Sequence, residues 1–69
     1  MDYLKVKNVL AIFSPSTEII LYDMRGEMIA CGSRQFGTYA LEDYMECPVC
    51  GEMWISSSGS VNVIIDDMM

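Results

Sequence analysis

Residues 17–31, which read TEIILYDMRGEMIAC, carry the clearest structural signal in the chain. Residues 17–22 are rich in β-branched and aromatic side chains, which favour an extended strand. The next four residues, Asp23-Met24-Arg25-Gly26, predict a turn because Gly26 is free to adopt a positive φ. We therefore expect the chain to return over residues 27–31 as the second strand of a β-hairpin.

A second hairpin is expected near the C-terminus. Residues 53–57 and 61–66 predict two further strands, joined by a turn at Ser58-Gly59-Ser60. Successive side chains of a strand point to opposite faces, so the apolar positions Val61, Val63 and Ile65 are expected to share the face that meets the core.

A helix is expected ahead of each hairpin. Apolar residues spaced i, i+3, i+4 and i+7 from Val6 to Phe13 predict the first helix, with Asp2 as its N-cap and Pro15 as its stop. Residues 38–45 predict a second, shorter helix. The order is α-β-β-α-β-β. It predicts a small α+β domain in which a four-stranded antiparallel sheet carries one or two helices on one face. A chain of 69 residues has room for one such domain, spanning residues 1–69.

The net charge of −6 is placed unevenly along the chain. Residues 1–34 hold four acids and four bases, whereas residues 35–69 hold six acids and no base. This distribution argues against direct nucleic-acid binding, which needs clustered Lys and Arg. An acidic surface suits a protein partner with a basic surface, although it also simply keeps a small protein in solution. The candidate partner-binding residues are Glu42, Asp43, Glu46, Trp54, Asp66 and Asp67.

Trp54 is included because aromatic side chains beside charged ones are typical of contact surfaces. The alternative, in which Trp54 fills a small core, stays open at this point.

The segment Cys47-Pro48-Val49-Cys50-Gly51 has the spacing of half a zinc site. A closed structural zinc site needs four ligands, and the chain offers only one further cysteine, Cys31. Zinc would therefore be bound by Cys47 and Cys50 with Cys31 as a third ligand, or by two such pairs in a homodimer. In the alternative interpretation the cysteines are small apolar residues in the core. Redox chemistry is poorly supported, because the pair does not precede a helix.

Catalysis is not expected. The chain has no histidine, the commonest general base near neutral pH, and no nucleophile with a recognisable activating partner. No cofactor other than zinc is indicated. The longest apolar run, residues 9–13, is too short to span a membrane, and the N-terminus lacks the features of a signal peptide, so we expect a cytoplasmic location. Arg25 or Arg34 could face a phosphate if the protein sequesters a signalling nucleotide.

Several stretches together resemble a known group of proteins: residues 9–17 (VLAIFSPST), 19–23, 26–27 and 30–33. They are similar to short uncharacterised proteins of phages and mobile elements of gut Firmicutes. That group shows a leading helix, a P-x-T entry to a strand, a D-x-x-G turn and a closing apolar strand, here residues 61–66. The resemblance implies a phage accessory role in the host cytoplasm, in which a small acidic protein inhibits a host defence factor, as anti-CRISPR proteins do. It also implies that the cysteine pair is an addition to the fold.

Overall fold

The structure, a computed structural model, describes residues 4–66. In chain order these residues form helix α1 (Val6–Ile12), strands β1 (Ile19–Tyr22) and β2 (Met28–Gly32), a 3₁₀ helix (Tyr39–Tyr44), and strands β3 (Val49–Ile55) and β4 (Val61–Ile65). The predicted α+β class is confirmed. The predicted N-cap Asp2 lies outside the described residues.

Within residues 4–66 the sheet has four strands in the order β2-β1-β4-β3. Both predicted hairpins are present, because β1 pairs antiparallel with β2, and β3 pairs antiparallel with β4. The central pair is parallel, with Ile19 beside Val61 and Tyr22 beside Ile64. The prediction of a wholly antiparallel sheet was therefore wrong. Alternation of apolar residues along a strand is the same in parallel and antiparallel pairs, so it could not reveal this direction.

The parallel pair lies at the centre because β1 (IILY) and β4 (VNVII) are the most apolar strands. A strand flanked on both sides is better shielded from water than an edge strand, which suits a nearly continuous apolar sequence. A backbone hydrogen bond from the Val61 N–H to the Glu18 carbonyl, at 2.8 Å, fixes the start of this pair.

Helix α1 confirms the predicted apolar spacing, since Val6, Val9 and Leu10 are buried. The N-cap position is Lys5, whose N–H donates to the Asn8 side-chain oxygen at 2.9 Å. The helix ends before Phe13, whose backbone is extended.

The second predicted helix is a six-residue 3₁₀ helix, so the element order is α-β-β-3₁₀-β-β rather than the predicted α-β-β-α-β-β. A 3₁₀ helix has three residues per turn, which places Leu41 and Tyr44 on the same side. Leu41 is fully buried and Tyr44 packs against the core.

Strand β3 begins four residues earlier than predicted, at Val49. Its register with β4 shifts, because Val49 lies beside Ile65 and Met53 beside Val63. Four residues on β3 therefore span two residues on β4, and Gly51 within this bulge has a φ of 100°. The second cysteine of the C-x-x-C segment consequently lies inside a strand.

The core occupies one side of the sheet. There, alternate residues of β1 and β4 pack against α1 and the 3₁₀ helix; the fully buried side chains include Ile19, Leu21, Leu41, Val61, Val63 and Ile65. The remaining residues of the strands form the opposite side, which we call the open face. From the strand registers it includes Ile20, Tyr22, Cys31, Trp54, Asn62 and Ile64.

Candidate functional site

The predicted partner-binding residues do not form one surface. Glu42 and Asp43 are exposed on the 3₁₀ helix, which packs on the core side of the sheet, whereas Trp54 lies on the open face. Asp66 follows β4, and its N–H donates to the Pro48 carbonyl at 3.1 Å. Asp67 lies outside the described residues. The acidic helix and the tryptophan are therefore separated by the thickness of the sheet.

Glu46 is neutralised within the molecule. Its carboxylate lies 2.7 Å from the Lys7 ammonium and 3.0 Å from the Lys5 ammonium. Hydrogen bonds from Lys7 and then Lys5 hold the pKa of Glu46 below its ordinary value. The sequence places these residues about forty positions apart, so charge counting assigned Glu46 to the unbalanced acidic half of the chain. In the folded protein its charge is compensated, and Glu46 contributes less to an acidic surface than predicted.

The exposed side of the 3₁₀ helix and of the loop before it combines two aromatic rings with two carboxylates. Phe36 and Tyr39 are 80% and 89% exposed. With three residues per turn, Tyr39 and Glu42 share one side of the helix, away from the buried Leu41. We call Phe36, Tyr39, Glu42 and Asp43 the acidic aromatic surface. Residues 35–69 contain no Lys or Arg, and the preceding base, Arg34, donates its guanidinium to the Phe13 carbonyl.

Sequence reasoning missed Phe36 as a surface residue. The signal that could have found it is the position of Phe36 between polar Gln35 and Gly37, outside any periodic apolar pattern. The loop that carries it is held by Ser33. The Ser33 N–H donates to the Gly37 carbonyl at 3.1 Å, and the Ser33 hydroxyl accepts the Phe36 N–H at 3.0 Å. The ring is therefore displayed from a tightly bonded turn.

A groove of about 510 Å³ lies beside this turn, between the start of β1 and the end of β2. Its lining residues include Glu18, the exposed Cys31 and Phe36. A carboxylate and an aromatic ring in one groove are the groups that recognise an organic cation.

Trp54 has a structural role on the open face. Its ring stacks on that of Tyr22, with centroids 5.6 Å apart and an interplanar angle of 24°. Beneath them Asn62 is only 3% exposed; it accepts the Tyr22 hydroxyl at 2.9 Å and donates to the carbonyls of Trp54 and Ser60. Trp54 thus covers a buried polar side chain while remaining 43% exposed. Trp54 therefore does not fill the core, and its role in partner binding stays a prediction.

The three cysteines are spread across the fold. Cys47 is 9% exposed and belongs to the core, Cys50 is half-buried in β3, and Cys31 is exposed on β2. All three lie within the described residues and none forms a disulfide. Cys31 and Cys50 lie on β2 and β3, the two edges of the sheet, which are about 14 Å apart at the usual strand spacing, so these two thiols do not meet.

In residues 4–66 no group of three Cys, Asp or Glu side chains is arranged to hold a metal ion. A zinc site formed by two Cys47–Cys50 pairs in a homodimer stays a prediction.

The two candidate phosphate-binding arginines lie at opposite ends of β2. Arg25 lies in the hairpin turn, where its backbone N–H donates to the Asp23 carboxylate at 2.9 Å. Arg34 follows β2, and its guanidinium donates to the Phe13 carbonyl at 2.6 Å. The structure does not bring them together.

Comparison of the chain with known protein families, curated proteins and solved structures gives no significant match. Among the helices of residues 4–66, none has the length and apolar character needed to cross a membrane.

Proposed function

We propose that this protein is a non-enzymatic binding protein that occupies a basic surface of a larger protein through its acidic aromatic surface. One observation carries the proposal: the 3₁₀ helix turns Leu41 and Tyr44 toward the core and leaves Tyr39, Glu42 and Asp43 exposed. Neighbouring exposed aromatic rings and acids fit a partner that presents Lys and Arg, because residues 35–69 contain no base and the preceding Arg34 is bonded to the Phe13 carbonyl.

The exposed rings supply the expected binding energy. Phe36 and Tyr39 each leave most of the side chain in water, which is unfavourable unless a partner covers it. Aromatic anchors commonly dominate the affinity of an interface, while surrounding charges set the association rate and the choice of partner. We therefore assign most of the binding affinity to the two rings, and the electrostatic steering of the basic partner to Glu42 and Asp43.

The resemblance to phage and mobile-element proteins suggests what the partner is. In that setting, an acidic protein that covers a basic groove competes with nucleic acid for it. We propose that the partner is a host defence factor, in the host cytoplasm, whose basic surface normally holds nucleic acid. The charge of −6 supports binding to such a surface and disfavours direct contact with a phosphate backbone.

A charge-reversal capture experiment tests the proposal. Tagged wild-type protein, the double variant Glu42→Lys/Asp43→Lys and the matched control Glu27→Lys/Glu52→Lys are used to capture proteins from the host cell. Both variants change the charge equally and all four acids are exposed, but Glu27 and Glu52 lie outside the acidic aromatic surface.

We expect a basic protein to be captured by the wild type and the control, and lost with Glu42→Lys/Asp43→Lys. Circular dichroism checks that both variants fold. Equal capture of the same proteins by the wild type and by Glu42→Lys/Asp43→Lys would refute the proposal.

A further inference from the structure

We propose that the groove between Glu18 and Phe36 receives an arginine side chain. This inference rests on the proposed function, because a basic protein partner is the source of the arginine. The groove adjoins the turn that presents Phe36, so one partner surface could contact Phe36, Tyr39 and the groove together.

The carboxylate of Glu18 is held in place by one oxygen and can bind a ligand through the other. The Ser60 hydroxyl donates to one of its oxygens at 2.8 Å, and Ser60 is 8% exposed. The Glu18 carbonyl accepts the Val61 N–H, which fixes the backbone against β4. Among residues 4–66 the two side-chain ion pairs are those of Glu46 with Lys5 and Lys7, so Glu18 is not neutralised by a base there. Its second oxygen can accept a hydrogen bond from a ligand.

The backbone that carries the aromatic wall of the groove is preorganised. The Phe36 N–H is bonded to the hydroxyl of Ser33, which is 3% exposed. The same turn is tied to the segment before β1, because the Gln35 N–H donates to the Pro15 carbonyl at 2.9 Å and Arg34 donates to the Phe13 carbonyl. A turn held in this way loses little further backbone freedom on binding, which favours affinity.

The chemistry of the groove selects a guanidinium group. Guanidinium is planar, stacks on an aromatic face and donates up to two parallel hydrogen bonds to a carboxylate. The volume of about 510 Å³ admits one long side chain. Cys31, a small side chain that also lines the groove, leaves room for its aliphatic stem. Anionic ligands are disfavoured by Glu18 and by the net charge of −6.

Titration with a short peptide tests the inference independently of any partner. The probe is acetyl-Gly-Arg-Gly-amide, and the matched control peptide carries citrulline, a neutral analogue of arginine. Binding is followed by the backbone amide signals of ¹⁵N-labelled protein. We expect the arginine peptide to shift the amides of Glu18, Cys31 and Phe36, and the citrulline peptide to leave them unchanged.

Two variants assign the binding to the groove. Glu18→Gln keeps an acceptor for Ser60 but removes the charge, and we expect it to weaken binding at least about fivefold, the effect of losing about 1 kcal/mol. Phe36→Ala removes an exposed ring that the core does not need, and it should weaken binding as well. The control Glu27→Gln changes the charge equally at a distant position and should bind as the wild type does.

The failure of this inference and the failure of the proposed function give different results. The proposed arginine site is overturned if the peptide causes no arginine-specific shifts at Glu18 and Phe36. It is also overturned if Glu18→Gln and Phe36→Ala both bind the peptide as the wild type does. Shifts confined to Tyr39, Glu42 and Asp43 also overturn the proposed arginine site, but they leave the proposed function standing. Arginine binding in the groove, combined with equal partner capture by Glu42→Lys/Asp43→Lys, overturns the proposed function alone.

Discussion

Replacing Asn62 by alanine should destabilise the protein, because this side chain joins three parts of the sheet. Asn62 accepts the Tyr22 hydroxyl from β1, donates to the Trp54 carbonyl of β3 and donates to the Ser60 carbonyl ahead of β4. Three hydrogen bonds at about 1 kcal/mol each give about 3 kcal/mol as the upper value.

Two contacts reduce that figure. The Ser60 carbonyl keeps the Ser56 N–H at 2.9 Å, and the half-buried Tyr22 hydroxyl can bind water instead. We therefore expect Asn62→Ala to lower the free energy of unfolding by about 2 kcal/mol. That is a large share of the roughly 3–10 kcal/mol typical of a chain of this length.

Urea denaturation followed by tryptophan fluorescence measures this loss, because Trp54 is the only tryptophan and lies over Asn62. Tyr22→Phe removes the hydroxyl alone and should cost about 1 kcal/mol. The double variant should show a coupling of about 0.5–1 kcal/mol between the two positions. A cost below about 0.5 kcal/mol for Asn62→Ala, with no coupling to Tyr22→Phe, would show that the open face is not organised by this network.

Three further measurements address the ion pairs, the cysteines and the turn. Because the lysines lower the pKa of Glu46 from 4.5, its ion pairs stabilise the fold above that pH and are lost as the pH falls through the lowered pKa. The difference in thermal stability between the wild type and Glu46→Gln should therefore shrink below about pH 4.5. A difference that persists unchanged at about pH 2 would contradict this assignment. Cys47→Ala should cost about 1–2 kcal/mol in urea denaturation because the side chain is in the core, whereas Cys50→Ser should cost less because Cys50 is half-buried. Equal losses from the two variants, together with unfolding of the wild type by a chelator, would instead indicate structural zinc. Gly32→Ala should cost about 1–3 kcal/mol, because an added Cβ would lie 2.6 Å from the Gly37 carbonyl oxygen, and an unchanged unfolding midpoint would mean that the turn readily moves aside.

The hairpins could be predicted because they are local. The turn at residues 23–26 and the serine turn at 58–60 each join strands that are adjacent in sequence, so side-chain alternation and turn chemistry were sufficient. The parallel pairing of β1 with β4 brings together strands about forty residues apart. Its direction depends on how the chain crosses between the hairpins, which no local pattern encodes.

The candidate site was predicted only in part, for the same reason. Glu42 and Asp43 are exposed as expected, since a short helix that buries Leu41 must turn its acids outward. The compensation of Glu46 depends on residues at the other end of the chain. The position of Trp54 depends on strand register, which the bulge at Gly51 shifts. Summing charge along the sequence could not reveal either contact.

The salt dependence of association tests the central claim most directly. The rate constant for binding the captured partner is measured by stopped-flow from about 0.05 to about 0.5 M NaCl, a range over which the screening length falls several-fold. For the wild type and for Glu27→Lys/Glu52→Lys we expect a decrease of at least about tenfold. For Glu42→Lys/Asp43→Lys we expect a slower association at low salt and a flatter dependence. Rates that coincide for all three proteins and do not change with salt would contradict binding through the acidic aromatic surface.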